Sequence, residues 1–455
     1  MAGRPSKTRR LDVWMNGELV GQWSISASGV QRFVYDATWL DNPAGRPLSL
    51  SLPLTNGTRN ESGAQVAAYF DNLLPDSLAI RNRVASRFGA ASTQAFDLLE
   101  KVGRDCVGAV QLLPAGSPRP DVSAVVSRPL TGPDVEALLD ATVAGVNLGV
   151  PPENELRISI AGAQEKTGLL YHEGGWHLPQ GATPTTHILK LPMGEVGTVR
   201  ADFSTSVENE WLCAQLMRAY GLPAARCDIA HFGRHKILVV ERFDRKWMRA
   251  GWIARLPQED FCQVFGINAV QKYEEKGGPG IDDILDKLRG SVQAERDRRY
   301  FLTAQLLFWM LAAPDGHAKN FSIHLLAGHQ FELTPLYDVM SAWPVIGRGA
   351  RQFQWQKVKL AMAVRSKNAH YHLQQVQRRH WNAVAKRNAM GQDFESVIED
   401  VLRRTPDAIA TVAAQLPKDF PPAVAGPIFE GLTKQARRLA GAPVPEDADY
   451  SERGQ

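Results

Sequence analysis

The sequence is poor in several things whose absence narrows what it can be. Its 455 residues include only four cysteines, Cys106, Cys213, Cys227 and Cys262, and no CxxC pair. That spacing argues against a disulfide framework or a zinc finger and suits a reducing compartment. Long apolar runs are also missing. The longest uninterrupted one is Leu306–Ala313, far short of the ~20 residues a membrane span needs. Residues 1–10 carry Arg4, Lys7, Arg9 and Arg10 with no apolar stretch behind them, so they read as a disordered basic tail and not as a secretory signal. No internal repeat is present. With 44% hydrophobic and 22% charged residues, collagen-like and disordered classes are excluded. At roughly 100–200 residues per domain, the length corresponds to two or three packed units.

The most local shortage is of carboxylates. Between Asp338 and Asp393 lie 54 residues without Asp or Glu, where the chain's own frequency leads one to expect about six. Ten basic residues share that stretch: Arg348, Arg351, Lys357, Lys359, Arg365, Lys367, Arg378, Arg379, Lys386 and Arg387. A phosphate-facing surface is depleted of acids in this way. A helix face that meets acids from elsewhere in the fold would be too, and the composition leaves both open.

What is present divides into three units. The first, residues 11–120, opens with LDVWM-NG-ELVGQW, a hairpin whose Asn16-Gly17 tolerates the positive φ of a type I′ turn. The run 46–54 (RPLSLSLPL) is strand-like. Helices follow through AAYFDNLLPDSLAIRNRVASRFG, broken at Pro75, where Asp76 or Ser77 can cap the second one. PAGSPRPDVS (114–123) is the linker. The second unit, 121–244, is β-rich: LRISIAGAQEKTGLLYH, THILKLP and KILVVERFD, with a helix SVENEWLCAQLMRAYG between the last two. Thr205 and Glu208 have capping-box spacing there, and Gly221 is placed to stop it. The third, 245–440, is mainly helical apart from one hairpin at 321–336. Residues 441–455 have tail composition.

A small β lobe, a hinge and a helical lobe suggest a kinase-like α+β arrangement, whose working parts can be sought in turn. Ala161-Gly162-Ala163-Gln164-Glu165-Lys166 offers small residues whose N–H groups can approach anionic oxygens, although it lacks Walker spacing and, taken alone, reads better as a plain hairpin turn. Lys190 lies within an apolar strand and needs an anion: a phosphate would serve, and so would Glu208. In Pro314-Asp315-Gly316-His317-Ala318-Lys319-Asn320, Asp315 and Asn320 keep the five-residue spacing of a kinase base and magnesium ligand. The strands FSIHLL and HQFELTPL would pair and fold Tyr337-Asp338 back beside Asn320, where an amide oxygen and a carboxylate suit a hard cation. A polar hairpin mouth without a ligand is the competing reading; a hydrolytic metal site of Asp315, His317, His324 and Asp338 is a lesser one, weakened by the place of His324 inside a strand and by the lack of HxH or HxxxH spacing.

Taken in order, RISIAGAQEK, THILKLP, VERFDR, LPQEDFCQVFG, YEEKGGPG, DGHAKNFS and LTPLYDVMSA resemble the HipA-type toxin kinases of bacterial type II toxin–antitoxin modules. RPLSLSLPL, YFDNLLPD and GRDCVGAV resemble that family's N-terminal subdomain, so the likeness spans roughly residues 12–440. The resemblance implies a two-lobed protein-kinase-like fold and an ATP- and Mg2+-dependent serine/threonine kinase of the bacterial cytoplasm. It implies a helix-turn-helix HipB antitoxin and operator DNA as partners, and a translation protein such as an aminoacyl-tRNA synthetase as substrate. By the same resemblance Ala161 to Lys166 and Lys190 would hold the ATP phosphates, and Glu241, Arg242 and Phe243 the adenine at the hinge. Asp315 would be the base. His317, Ala318, Lys319, Asn320 and Tyr337 would line the nucleotide site, Asn320 and Asp338 would hold magnesium, and Ser159 would be autophosphorylated. DNA would meet Lys386, with Arg387 beside it. The alternative is a catalytically silent, DNA-bound co-repressor on a kinase-derived fold.

Overall fold

At the Asn16-Gly17 turn the computed structural model has φ of 49° and 81°, the pair of positive values a type I′ hairpin requires. The structure describes residues 8–54, 61–144, 159–160 and 164–441. The turn joins β1 (Arg9–Met15) to β2 (Glu18–Ile25). With β3 (Gln31–Tyr35), β4 (Glu61–Ser62) and β5 (Val110–Pro114) they form an antiparallel sheet ordered β4-β3-β2-β1-β5. Helices α1 (Ala37–Leu40), α2 (Ala64–Asp71), α3 (Leu78–Phe88) and α4 (Ala95–Val102) belong to the same unit. Its core is aromatic: Trp23 stacks on Phe70 at 3.9 Å and tilts against Phe96. Arg9 and Arg10 are strand residues, and Arg9 pairs with Asp97.

The run 46–54 is not a strand; it makes one isolated bridge, Ser49 to Leu52. Prolines 47 and 53 interrupt the ladder donors, yet the alternation still sorts the side chains. Leu48 and Leu52 enter the N-terminal core, while Ser49 and the Leu50 N–H bind the buried Glu259 carboxylate. Past the break at Pro75, Ser77 caps α3 through the Ile80 N–H, which leaves Asp76 for other use.

The second sheet comprises β6 (Ser127–Leu130), β7 (Lys166–His172), β8 (Gly175–Pro179), β9 (His187–Lys190), β12 (Cys227–Phe232) and β13 (His235–Glu241), in the order β12-β13-β9-β7-β8-β6. Between β9 and β12 lie the short pair β10 (Glu195–Val196) and β11 (Ala201–Asp202), then α6 (Ser206–Ala219). Helix α5 (Gly132–Ala144) buries Val135, Leu138 and Leu139 against one face of the six-stranded sheet. The expected capping box of α6 is absent. Thr205 sits at φ −97°, ψ 22°, outside the extended conformation a cap needs, and makes no cap bond. Gly221 does end the helix region, with φ of 85°.

The third unit holds α7 (Phe261–Val264), α8 (Ile281–Lys287), α9 (Ala294–Met310), α10 (Arg378–Arg387), α11 (Glu395–Ala414) and α12 (Pro422–Leu439) around a core that includes Trp309, Trp343 and Trp381. The expected hairpin is β17 (Ser322–Leu325) with β18 (Phe331–Leu333). There is more sheet than expected: β14 (Arg245–Trp247) pairs with β15 (Ile253–Arg255), β16 (Gln258–Asp260) with β17, and β19 (Lys359–Arg365) with β20 (Ala369–His372). In β19 the run Leu360–Val364 is wholly buried. Leu, Ala and Met are helix formers, so only tertiary packing makes this segment a strand.

Candidate functional site

Lys166 and Lys190 stand directly opposite one another on β7 and β9. Like charges so placed repel, and both side chains line one cleft between the β-rich and helical units. Anions compensate them. Lys190 Nζ lies 2.6 Å from Glu210 Oε1 of α6 and 2.6 Å from Asp338 Oδ1. Burial opposes the charge of Lys190, but Asp338 and Glu210 outweigh it and raise its pKa. Burial lowers Lys166 to about 8 despite the attraction of Asp338. For Asp338 burial is again overcome, by Lys190 and Lys166, and its carboxyl is held well below the usual carboxylate range. Asp338 has φ of 60°, a left-handed conformation that Asp tolerates better than most residues.

Glu208, which the sequence offered as the partner of Lys190, does not reach it; it pairs with Lys236 of β13. Both glutamates lie on a helix buried nearly all round, so periodicity could not choose between them.

The loop after α9 supplies the rest. Gly316 is required: a Cβ there would stand 2.3 Å from the Phe308 ring. Laid flat on α9, the loop turns Asp315, His317 and Asn320 into the cleft. Asn320 Nδ2 donates to the Asp315 carbonyl at 2.7 Å, and the Tyr337 hydroxyl donates to the Lys319 carbonyl at 2.8 Å. The β17–β18 hairpin thus brings Asn320 and Asp338 to one cleft, as expected. His317 is buried, which lowers its pKa to about 4, so it is neutral near pH 7. Tyr273 escaped the sequence reading, although its hydroxyl donates to Asp315 Oδ1 at 2.5 Å.

Other expected residues fare differently. Gln164 binds the Leu191 carbonyl, and Ala161, Gly162 and Ala163 lie outside the described residues. Glu165 pairs with Arg83. The Glu241 N–H is spent on the Arg226 carbonyl, and the Phe243 ring packs against Tyr337 and His324. His324 is thereby a packing residue of β17, and among the described residues no three His, Cys, Asp or Glu side chains are grouped to hold a metal. Arg242 was expected to serve the nucleotide, yet its guanidinium is locked to Asp244, Asp105 and Thr185. Lys319 is likewise committed, to Asn72 and Asp260. Both line the cleft as supports. Ser159 is buried, its hydroxyl donating to the Leu73 carbonyl at 2.7 Å.

The acid-free stretch proves to be of mixed use. Arg351, Lys359, Arg365, Arg378 and Arg387 have acid partners from elsewhere: Glu195, Glu275, Glu274, Glu395 with Glu399, and Asp282. Lys386 is exposed at the end of α10, and among the described residues it forms no ion pair.

Residues 11–113 match the HipA N-terminal domain and residues 158–409 the HipA-like C-terminal domain. A putative kinase, Y4mE of Sinorhizobium fredii, is 35% identical over 73% of this chain and 77% of its own. The serine/threonine-protein kinase toxin HipA of Shewanella oneidensis is 28% identical over 90% of this chain and 91% of its own. A solved structure of Shewanella oneidensis HipA with HipB and operator DNA superposes with a TM-score of 0.74 at 24% identity, covering 95% of this chain and 98% of that one. The two-lobed α+β fold is therefore that of these kinases. No described helix is long and apolar enough to cross a membrane.

Proposed function

Since the chain belongs to the HipA family of serine/threonine kinase toxins, we propose that it transfers the γ-phosphoryl group of ATP to a hydroxyl of a bacterial cytoplasmic protein. The observation that carries this reading is the Lys190–Glu210–Asp338 triad facing Asp315 and Asn320 across one cleft. It also weighs against a silent co-repressor, because a fold that only bound DNA would have no use for a buried lysine between two carboxylates. The donor set fits the cofactors. An ionised carboxylate and an amide oxygen are hard-cation ligands, and apolar Ile188, Val240 and Met193 line the same cleft, as a purine requires.

When bound, ATP supplies the phosphoryl group and Mg2+ neutralises its oxygens. Asn320 and Asp338 would hold the metal. Lys190, braced by Glu210, would hold the phosphates with Lys166. Asp315 would accept the proton of the attacking hydroxyl, once that hydroxyl displaces the Tyr273 phenol from Oδ1. A translation protein, an aminoacyl-tRNA synthetase among them, is the proposed substrate class, and Ser159 the site of self-inactivation. A HipB-type antitoxin and operator DNA are the proposed partners, with Lys386 on the DNA side. The test is Asp315→Asn. Loss of a general base costs about 10²–10⁴ in rate, so toxicity on induction and labelled-phosphate transfer should both vanish while the protein stays folded. A variant that remained toxic and kept transferring phosphate would refute the assignment.

A further inference from the structure

We infer that Asp76, which belongs to the N-terminal unit, is a positioning residue of the phosphoryl-transfer site, acting through Lys272 and Lys319. The inference rests on the kinase reading and adds to it a contribution from outside the two kinase lobes.

Asp76 lies between α2 and α3. Ser77 performs the capping of α3, so the neighbouring carboxylate is not needed there. It points into the cleft instead. Oδ2 lies 2.9 Å from Lys272 Nζ, and Oδ1 lies 3.7 Å from Lys319 Nζ. Oδ1 is buried and has no hydrogen-bond partner among the described residues, so its contribution is the charge it sets beside Lys319. Four residues earlier, Asn72 gives Lys319 Nζ two acceptors, its carbonyl at 3.0 Å and its Oδ1 at 2.9 Å. Asp260 completes the set at 3.2 Å. Burial works against ionisation of Asp76, but Lys319 and Lys272 outweigh it and lower its pKa.

What these lysines adjoin gives the arrangement its function. Lys319 precedes Asn320, the amide that binds the Asp315 carbonyl. Lys272 precedes Tyr273, whose hydroxyl binds the Asp315 carboxylate, and the Lys272 carbonyl accepts the Ala318 N–H. Asp76 therefore grips the two residues that flank the base's partners. Two lysines set against two carboxylates, Asp76 and Asp260, make a charge-balanced and largely buried group, with His317 neutral beside it. Removing the charge of Asp76 leaves one carboxylate for two ammonium groups, and their repulsion displaces both flanking segments. A displacement of the order of 1 Å in reacting groups costs about 10²-fold in rate.

The experiment compares wild type, Asp76→Asn, Asp76→Glu and Lys272→Met in labelled-phosphate transfer, with the folded fraction of each measured by circular dichroism. Asp76→Asn should lower kcat by about 10- to 100-fold with the KM for ATP within about twofold. Asp76→Glu should recover most of the rate. Lys272→Met carries the test should Asp76→Asn fail to fold, and should show the same split. Wild-type kcat in folded Asp76→Asn, a loss confined to KM, or no recovery in Asp76→Glu would overturn the inference. Absence of transfer by wild type would instead overturn the kinase reading.

Discussion

Glu210→Gln is the most discriminating perturbation of the cleft. Glu210 and Lys190 are each about 5% exposed, so solvent does little to screen their 2.6 Å contact. Glutamine keeps the shape and one acceptor oxygen, and removes only the charge. Lys190 stays charged, so the glutamine still accepts a charge-assisted bond, and what is lost is the attraction between the two charges. That loss, about 1–1.5 kcal/mol of the roughly 1.5–3 kcal/mol a bond to a charged group contributes, corresponds to roughly a tenfold loss, because Lys190 is then drawn further onto Asp338. Glu210→Ala, which leaves space as well, should cost about 10²-fold through misplacement. The matched control is Glu208→Gln, two residues away on the same helix but bound to Lys236, and it should leave the rate unchanged. The pH profile gives a second reading. Burial, reinforced by Asp338, raises the pKa of Glu210 against the pull of Lys190, whereas Asp338 stays ionised far into acid. Activity is present above the pKa of Glu210 and falls as pH drops through it; Glu210→Gln should flatten that limb. Steady-state labelled-phosphate transfer from pH 5 to 8 measures both. Equal losses in Glu208→Gln and Glu210→Gln, or an unchanged acid limb, would refute the reasoning.

Asp105→Asn should lower stability by about 3–5 kcal/mol, because it strips a buried carboxylate from Arg242, Arg245 and Arg255; urea unfolding followed by tryptophan fluorescence reads it. Burial resists the charge of Asp105, but the three arginines hold its pKa far below the unfolded value. Its stabilisation is complete above that unfolded value, about 3.9, and is lost as pH falls through the folded one, so the two proteins should converge only in strong acid. Phosphorylated Ser159 cannot keep its bond to the Leu73 carbonyl and adds about −1.5 to −2 charges, so calorimetric ATP affinity should fall; equal affinity before and after phosphatase would exclude a switch. Lys386→Ala should flatten the salt dependence of DNA binding by about one unit of log–log slope. Arg387→Ala, already tied to Asp282, should change it less.

Much of this was legible without coordinates, for reasons of local chemistry. Asn-Gly dictates its turn through backbone φ, and the Asp315-to-Asn320 spacing survives because one loop carries both residues. The hairpin that returns Asp338 to Asn320 follows from strand alternation and a Gly-containing turn. The absence of long apolar runs and paired cysteines needed only counting. Other features depended on what lies far away in sequence. Periodicity on a helix buried nearly all round cannot separate Glu208 from Glu210; the position of β9 does. A stretch without acids states its own charge and not that of its neighbours, so five of its basic residues turned out to be paired from outside. Arg242 and Lys319 carry the charge a phosphate site would want, but buried carboxylates claim them first: Asp244, two residues on, with Asp105, 137 residues away, hold Arg242, and Asp260, 59 residues away, holds Lys319. Local sequence determines conformation where a few backbone torsions decide it; which charges face one another is settled by packing, because Coulomb energy depends on distance in space.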